Sequence, residues 1–358
     1  MRRLDLALLA GTLFVCLCSW LAQTSTAQAL ASPGFATRQL VWLCVGLVVM
    51  ALFAFADYRV LARFAPLFYA GSLLLLLVVL VAAPVRAGTR AWLPIGPFTV
   101  QPSEFARVAT ILVVAAMAAE HRKDRLSLGV VARLLALIAA PVVLVLLEPD
   151  LGVALTFLPV LVAALWIGGL PLRAWLALVL GGAAVAGAAW LWYLEPYQKE
   201  RLLTFADPER APYGAGYQQR QSRIAVGSGG LTGKGLRSGT QSQLRFLPAQ
   251  HTDFIFAVWA EETGFVGAAT LLLAYALIGL RLFVVALQAR DRLGAVIAGG
   301  VGTVFVVQVV VNVAMVSGLA PTTGITLPLL SYGGSSILAT FIGLGLVHSV
   351  WRLRYANV

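Results

Sequence analysis

The chain has 358 residues, of which 60% are hydrophobic and only 11% charged, with a formal charge of +11 and a mean hydropathy of +0.89. Soluble domains carry about 25% charged residues, so a soluble enzyme or a nucleic-acid-binding domain is excluded, and the excess of Arg and Lys reads as cytoplasmic loops against anionic lipid. Cys16, Cys18 and Cys44 all lie in apolar runs, which supports neither a disulfide framework nor a zinc site.

A helix that crosses a bilayer needs about 17–25 mainly apolar residues. By that rule the chain reads as an all-α polytopic membrane protein with spans at 5–22, 39–57, 65–83, 103–119, 130–147, 151–168, 172–193, 264–286, 293–316 and 333–351, about ten transmembrane helices in a single membrane domain over 1–358. Arg2-Arg3, an apolar run and Ala27-Gln28-Ala29 imitate a secretory signal. The run from Leu6 to Ala22 is long for an h-region of about 7–15 residues, so an uncleaved span is expected. Glu148-Pro149-Asp150 forms a tight hairpin between the fifth and sixth spans, and Pro141 and Pro159 are expected to kink those spans.

With the N-terminus inside, cytoplasmic segments collect Arg2, Arg3, Arg59, Arg63, Arg122, Lys123, Arg125, Arg173, Arg281, Arg290, Arg292, Arg352 and Arg354, while the short outer loops hold only Arg38, Arg86 and Arg90. The positive-inside rule then places both termini in the cytoplasm and the long loop 194–252 outside. That loop carries Lys199, Arg201, Arg210, Arg220, Arg223, Lys234, Arg237 and Arg245. A loop of this length is usually functional, and its cations suit an anionic partner or lipid headgroups equally well.

Four stretches carry candidate chemistry. The Gly227–Gly235 run ending in Lys234 fails the P-loop spacing, which needs Gly at Ser228 and Ser or Thr at Gly235. It leaves either a flexible turn or a cradle of backbone N–H groups for an anion. Thr252 and Asp253, just ahead of Phe254-Ile255-Phe256, read as a helix N-cap or as an acid at the membrane edge. Glu261 and Glu262 follow as costly carboxylates in an apolar stretch. Glu104 and Arg107 share a helix face at i, i+3, either as a structural ion pair or as groups facing an aqueous cavity. The segment 318–336 is dense in Gly, Pro, Ser and Thr. Irregular backbone at membrane depth is tolerated only where it is buried or lines a cavity.

The motifs QPSEFAR at 101–107, PDLG at 149–152, GYQQRQS at 216–222, GSGGLTGKGL at 227–236, GTQSQLRFLP at 239–248, HTDFIFAV at 251–258 and LPLLSYGGSS at 327–336, in this order, resemble the SEDS family (shape, elongation, division and sporulation) of membrane peptidoglycan glycosyltransferases. The GTQSQL segment and the short N-terminal tail resemble its elongation members more than its divisional ones. The resemblance implies polymerisation of lipid II by β-1,4 transfer with loss of undecaprenyl diphosphate. It also implies a class B penicillin-binding protein as transpeptidase partner, alongside other elongation-complex membrane proteins. It assigns Asp253 as the catalytic carboxylate, either a general base or a ligand of a divalent cation such as Mg or Mn. Glu104, Arg107, Asp150, Arg201, Lys234, Gln241, His251, Thr252 and Ser331 are the expected substrate-binding residues. Arg107 stands where Lys is more usual, Glu148 where Gln is, and Ala249 where Glu is.

A sparse site is consistent with this chemistry. Glycoside hydrolases need a second carboxyl to protonate the leaving group, whereas a lipid diphosphate leaves as an anion that cations such as Lys234, Arg201 and Arg107 can stabilise. One base for the incoming hydroxyl then suffices. A lipid II flippase and a non-catalytic scaffold of the cell-wall machinery are the alternatives. A flippase needs a polar path across the membrane, and no inverted repeat of the kind many transporters carry is visible.

Overall fold

The structure is a computed structural model that describes residues 4–32, 34–85, 88–96, 98–121, 126–207, 214–247 and 249–355. Arg2, Arg3, Arg86, Arg122, Lys123 and Arg125 of the topology argument, Arg210 of the long loop and Pro248 of the FLP motif lie outside the described residues.

The apolar runs fold as helices because a bilayer satisfies no backbone group, so each segment must hydrogen-bond to itself. In chain order they are α1 Leu6–Ala29, α2 Gly34–Phe55, the short α3 Tyr58–Arg63, α4 Ala65–Ala82, α5 Pro102–Glu120 and α6 Leu128–Leu147. Next come α7 Leu151–Leu155, α8 Leu158–Ile167 and α9 Leu172–Trp192. The polar segment folds as α10 Pro196–Ala206, α11 Ala215–Ser228 and α12 Thr240–Gln243, followed by α13 Ile255–Leu287, α14 Arg292–Val316 and α15 Gly334–Leu353. Among the described residues nine helices are long and apolar enough to cross a membrane, with Leu151–Ile167 as a shorter apolar pair. The chain is an all-α, multi-pass membrane protein.

Acidic N-caps set several helix starts. Asp5 accepts from the Leu8 amide (3.0 Å), Asp150 from Val153 (3.0 Å) and Asp291 from Gly294 (2.8 Å), each satisfying an orphan first-turn donor. α5, α14 and α15 bury most of their length at the centre of the bundle. α15 lies along α2, α14 packs on α13 and α8, and α5 packs on α4. No described residue of α9 is buried, so this helix stands apart from the core. At the end expected to be cytoplasmic, Arg59 pairs with Asp291 (3.0 Å) and Arg281 with Asp5 (2.5 Å), while Arg352 donates to the Ala54 and Phe55 carbonyls.

Five details depart from the expected spans. First, α1 continues past Ala22 to Ala29, so Ala27-Gln28-Ala29 is its last turn, and its polar residues Gln23, Ser25 and Thr26 are buried and bonded. Second, the span expected at 151–168 is two helices, broken at Thr156-Phe157 ahead of Pro159, whose missing N–H suits a helix start. Third, the chain ahead of α5 forms a hairpin, β1 Leu93–Ile95 against β2 Phe98–Val100, with Leu93 opposite Val100. Fourth, the segment 194–252 is not a plain loop but carries α10, α11 and α12. Fifth, α13 starts at Ile255, ahead of the expected 264. At that expected start, Gly264 adopts φ 67° and ψ −166° and joins two helices end to end. Only glycine tolerates this conformation, and a Cβ there would also lie 2.2 Å from the Gly233 amide nitrogen.

Candidate active site

At the end of the bundle that carries α10–α12, a cavity of about 440 Å³ opens where the start of α5, the turn before α7, α10, the turn before α13 and the segment 321–326 converge. Asp253, Thr252, Glu104, Arg107, Asp150 and Arg201 all line it, together with Trp92, Gln101, Thr156, Gln308, Tyr332 and Ser336. Six of the ten residues expected from the sequence therefore share one chamber. Its charged groups come from four separate stretches of chain: α5, the turn before α7, α10 and the turn before α13.

Asp253 is half-buried in the turn that precedes α13. It does not cap that helix: Phe254 occupies the N-cap position, and no side chain bonds there. Burial pushes the Asp253 carboxyl above its ordinary value, while the Thr252 hydroxyl and the positive charge of Arg201 pull it back. A carboxyl raised in this way is a stronger proton acceptor than an exposed one, and it shares its chamber with a cation.

Glu104 and Arg107 form an ion pair on one face of α5, and both are nearly fully buried, at 2% and 3% exposure. The second guanidinium arm of Arg107 donates to Thr156 Oγ1 (3.0 Å) at the α7–α8 break. The two sequence readings of this pair, structural and cavity-facing, thus hold together. Asp150 caps α7 and accepts a long bond from Gln101 Nε2 (3.4 Å). Its carboxyl is pushed up to about 6, chiefly by burial and further by the charges of Glu104 and Asp253, against the Val153 amide and Arg201. The neighbouring Glu148 carboxyl, 1% exposed, is pushed up to about 8 by burial and by Asp150.

The remaining expected residues sit elsewhere. His251 packs its ring between Phe35 and Tyr332, and burial lowers its proton affinity. Its carbonyl accepts from Gln23 Nε2 (3.0 Å) and from the Tyr332 amide (2.8 Å). Ser331 Oγ accepts from the Leu327 amide and donates to the Thr252 carbonyl (2.7 Å), so it buttresses the turn beneath the cavity. Lys234 and Gln241 do not line the cavity. Lys234 Nζ bonds Glu261, Ser228 and Thr240, each at 2.8 Å, and the Gln241 amide donates to Glu261 Oε1 (2.9 Å).

Glu261 also accepts from the Ser242 amide (3.3 Å), and Glu262 accepts from the Ser25 hydroxyl. Both carboxylates anchor the polar segment to α13 and α1. The backbone of the Gly-rich run is engaged in the same way. The Lys234 and Gly235 amides donate to the Glu261 and Glu262 carbonyls (3.1 and 2.9 Å), which leaves these donors turned inward and not toward an anion.

Sequence reasoning missed Thr156, Gln101 and Gln308, neutral polar residues in or beside apolar runs, whose only signal is the cost of placing them there. Among the described residues no group of three or more His, Cys, Asp or Glu is arranged to hold a metal ion. A cation at Asp253 would therefore have fewer than three such protein ligands.

A family profile described as cell cycle protein, covering FtsW, RodA and SpoVE, matches residues 2–356. The peptidoglycan glycosyltransferase MrdB of Escherichia coli (strain K12) is 40% identical over 321 residues, spanning 90% of this chain and 86% of that protein. A solved chain from a peptidoglycan synthase complex that coordinates polymerization and crosslinking aligns over 99% of both chains, with a TM-score of 0.84 and 36% identity. The rod shape determining protein RodA of Thermus thermophilus aligns with a TM-score of 0.74 and 33% identity, over 99% of this chain and 98% of that one.

Proposed function

This chain belongs to the SEDS family of FtsW, RodA and SpoVE, is closely related to RodA and is a glycosyltransferase of cell-wall synthesis, and we propose that it polymerises lipid II into β-1,4 glycan strands with Asp253 as general base. The observation that carries this reading is the placing of the Asp253 carboxyl in one chamber with Arg201 and the Glu104–Arg107 pair. Asp253 takes the proton of the incoming sugar hydroxyl as that oxygen bonds to the anomeric carbon of the second substrate. The bond from that carbon to the diphosphate oxygen breaks, and undecaprenyl diphosphate leaves with the electron pair. Arg201, with Arg107 on the floor, stabilises the departing charge, so no protonated acid is required. Thr252 and Asp150 contact the polar parts of the substrates.

The similarity to a chain of a peptidoglycan synthase complex supports work with a transpeptidase partner. We propose a class B penicillin-binding protein in that role. A flippase finds less support. Among the described residues, the adjoining space that shares Arg107 and Gln308 with the chamber is otherwise lined mainly by Val108, Ile111, Val301, Val304, Phe305 and Leu344, with Thr340 as its one further polar side chain, a poor path for a polar headgroup.

The test is lipid II polymerisation by the purified protein, with and without its partner, comparing wild type with Asp253→Asn while the transpeptidase site is blocked. Glycan strands from wild type and none from the folded variant are expected. Equal polymer from both would remove Asp253 from the chemistry, and no polymer from either would favour a flippase or scaffold.

A further inference from the structure

The turn that presents Asp253 has three consecutive carbonyls, at His251, Thr252 and Asp253, that precede the first turn of α13 and are not used by its ladder. Each is met by a side-chain donor from a different element. Gln23 on α1 reaches His251 O, Ser331 reaches Thr252 O, and Asn312 on α14 reaches Asp253 O (3.0 Å). A buried carbonyl without a partner is costly, so these donors have a folding role, although the His251 carbonyl also accepts from the Tyr332 amide (2.8 Å). Asn312 differs in what it connects.

Its Nδ2 group makes a second bond, to the Ile325 carbonyl (2.8 Å), in the irregular segment that packs against α7 and walls the cavity. One fully buried amide, 0% exposed, therefore fixes the backbone of Asp253 and the backbone of the cavity wall at the same time. No other neutral side chain of this length offers two N–H donors from one atom: Ser and Thr have one donor, and Leu has none. Asn312 Oδ1 finds no partner among the described residues. The residue is thus held in place by its donors alone, despite an unsatisfied acceptor.

We infer that Asn312 is a positioning residue for the transfer reaction, setting the register of Asp253 against the 321–326 wall of the cavity. This rests on the reading of Asp253 as the base. A base held in register matters because a small misplacement of a reacting group costs rate far more than it costs binding. The two carbonyls belong to two separate segments that both line the cavity, so loss of the amide loosens one against the other while Arg201 and Arg107 are untouched.

The experiment compares Asn312→Ala with Gln23→Ala in the full-length protein with its partner, measuring lipid II polymerisation and melting temperature. Gln23→Ala removes a comparable pair of donated bonds, to His251 O and Leu330 O, together with the bond its Oε1 accepts from Thr26, and none of these is made to Asp253 or to the 321–326 wall. Asn312→Ala is expected to lower kcat by about tenfold or more with KM within about twofold, whereas Gln23→Ala loses melting temperature alone. Should Asn312→Ala fail to fold, Asn312→Ser, which keeps one donor, is judged by the same split. Equal kcat losses in the two variants, or a change in KM alone, would overturn the inference and leave Asn312 structural. Asp253→Asn is run beside them. A dead Asp253→Asn with a normal Asn312→Ala sinks only the positioning role, while an active Asp253→Asn sinks the assignment of the base and this inference with it.

Discussion

Glu104 and Arg107, one helical turn apart on α5, form a buried ion pair whose free guanidinium arm rests on Thr156 at the break between α7 and α8. Removing one partner of such a pair leaves an uncompensated charge away from water, so Arg107→Ala is expected to cost about 3–5 kcal/mol of stability. Arg107→Lys keeps the charge but loses the planar fork that serves two acceptors, and it should fall between wild type and Ala. The double variant Glu104→Gln, Arg107→Met should regain melting temperature without regaining polymer, because the cavity floor then carries no cation. Thermal unfolding in detergent alongside strand synthesis checks both halves. An Arg107→Ala protein that melts like wild type would mean the pair is solvated.

Glu148 stands where the family resemblance expects Gln, and its carboxyl is raised from its ordinary 4.5 to about 8 by burial and by Asp150. Folding therefore takes up a proton inside that window. The contribution is fully present below 4.5, is lost as pH rises through 8, and makes the fold less stable in alkali. Glu148→Gln removes the titration. From about pH 5 to about pH 9 the wild type should lose more melting temperature than the variant. Parallel slopes would show that Glu148 does not titrate in this window.

How much of this was legible in the sequence depends on which force fixes each element. The starts and ends of α4, α6, α9 and α14 follow their apolar runs closely, because hydrophobic length alone decides them. The segment 318–333 was readable as irregular backbone from its Gly, Pro and Thr content, and its buried stretch at Leu327, Leu329 and Leu330 agrees. The early start of α13 was not readable: Glu261-Glu262-Thr263 interrupts the hydropathy, and only tertiary donors such as Lys234 and Ser25 make those carboxylates tolerable. The helices α10–α12 were hidden for the same reason, since tertiary contacts and not composition hold them: α11 packs on α13 and α14, α12 on α1 and α13, and α10 on α11. Spacing paired Glu104 with Arg107, but nothing local could reveal that α7, α10 and the turn at Asp253 meet over that pair.

Lys234 is expected to act on the fold and not on the reaction. It is one of several donors on the fully buried Glu261, which keeps Thr240, Gln241 and Ser242 when the ammonium is removed. Lys234→Met should therefore cost about 1–3 kcal/mol, with polymerisation per folded molecule nearly unchanged. Melting curves paired with activity normalised to folded protein separate the two effects. A collapse of activity at unchanged melting temperature would return Lys234 to the substrate.

The cavity wall also depends on the absence of a side chain at Gly152. A Cβ built there would lie 2.2 Å from the Thr323 carbonyl oxygen, a backbone atom that cannot rotate away. Gly152→Ala must push the 321–326 segment off α7, and both elements line the chamber that holds Asp253. Overpacking of this kind costs about 1–3 kcal/mol, but the larger expected effect is on rate, because the wall moves relative to the base. Gly181 on α9 is the matched control: a Cβ there meets nothing within 4 Å, and no described residue of α9 is buried. Gly181→Ala should leave activity unchanged and raise helix stability by about 0.5–1 kcal/mol. Strand synthesis by the two alanine variants, normalised to folded protein, decides the matter. Equal activity would mean that the wall at Thr323 yields without disturbing the site, and a loss confined to Gly152→Ala would tie the rate to the spacing between α7 and the loop.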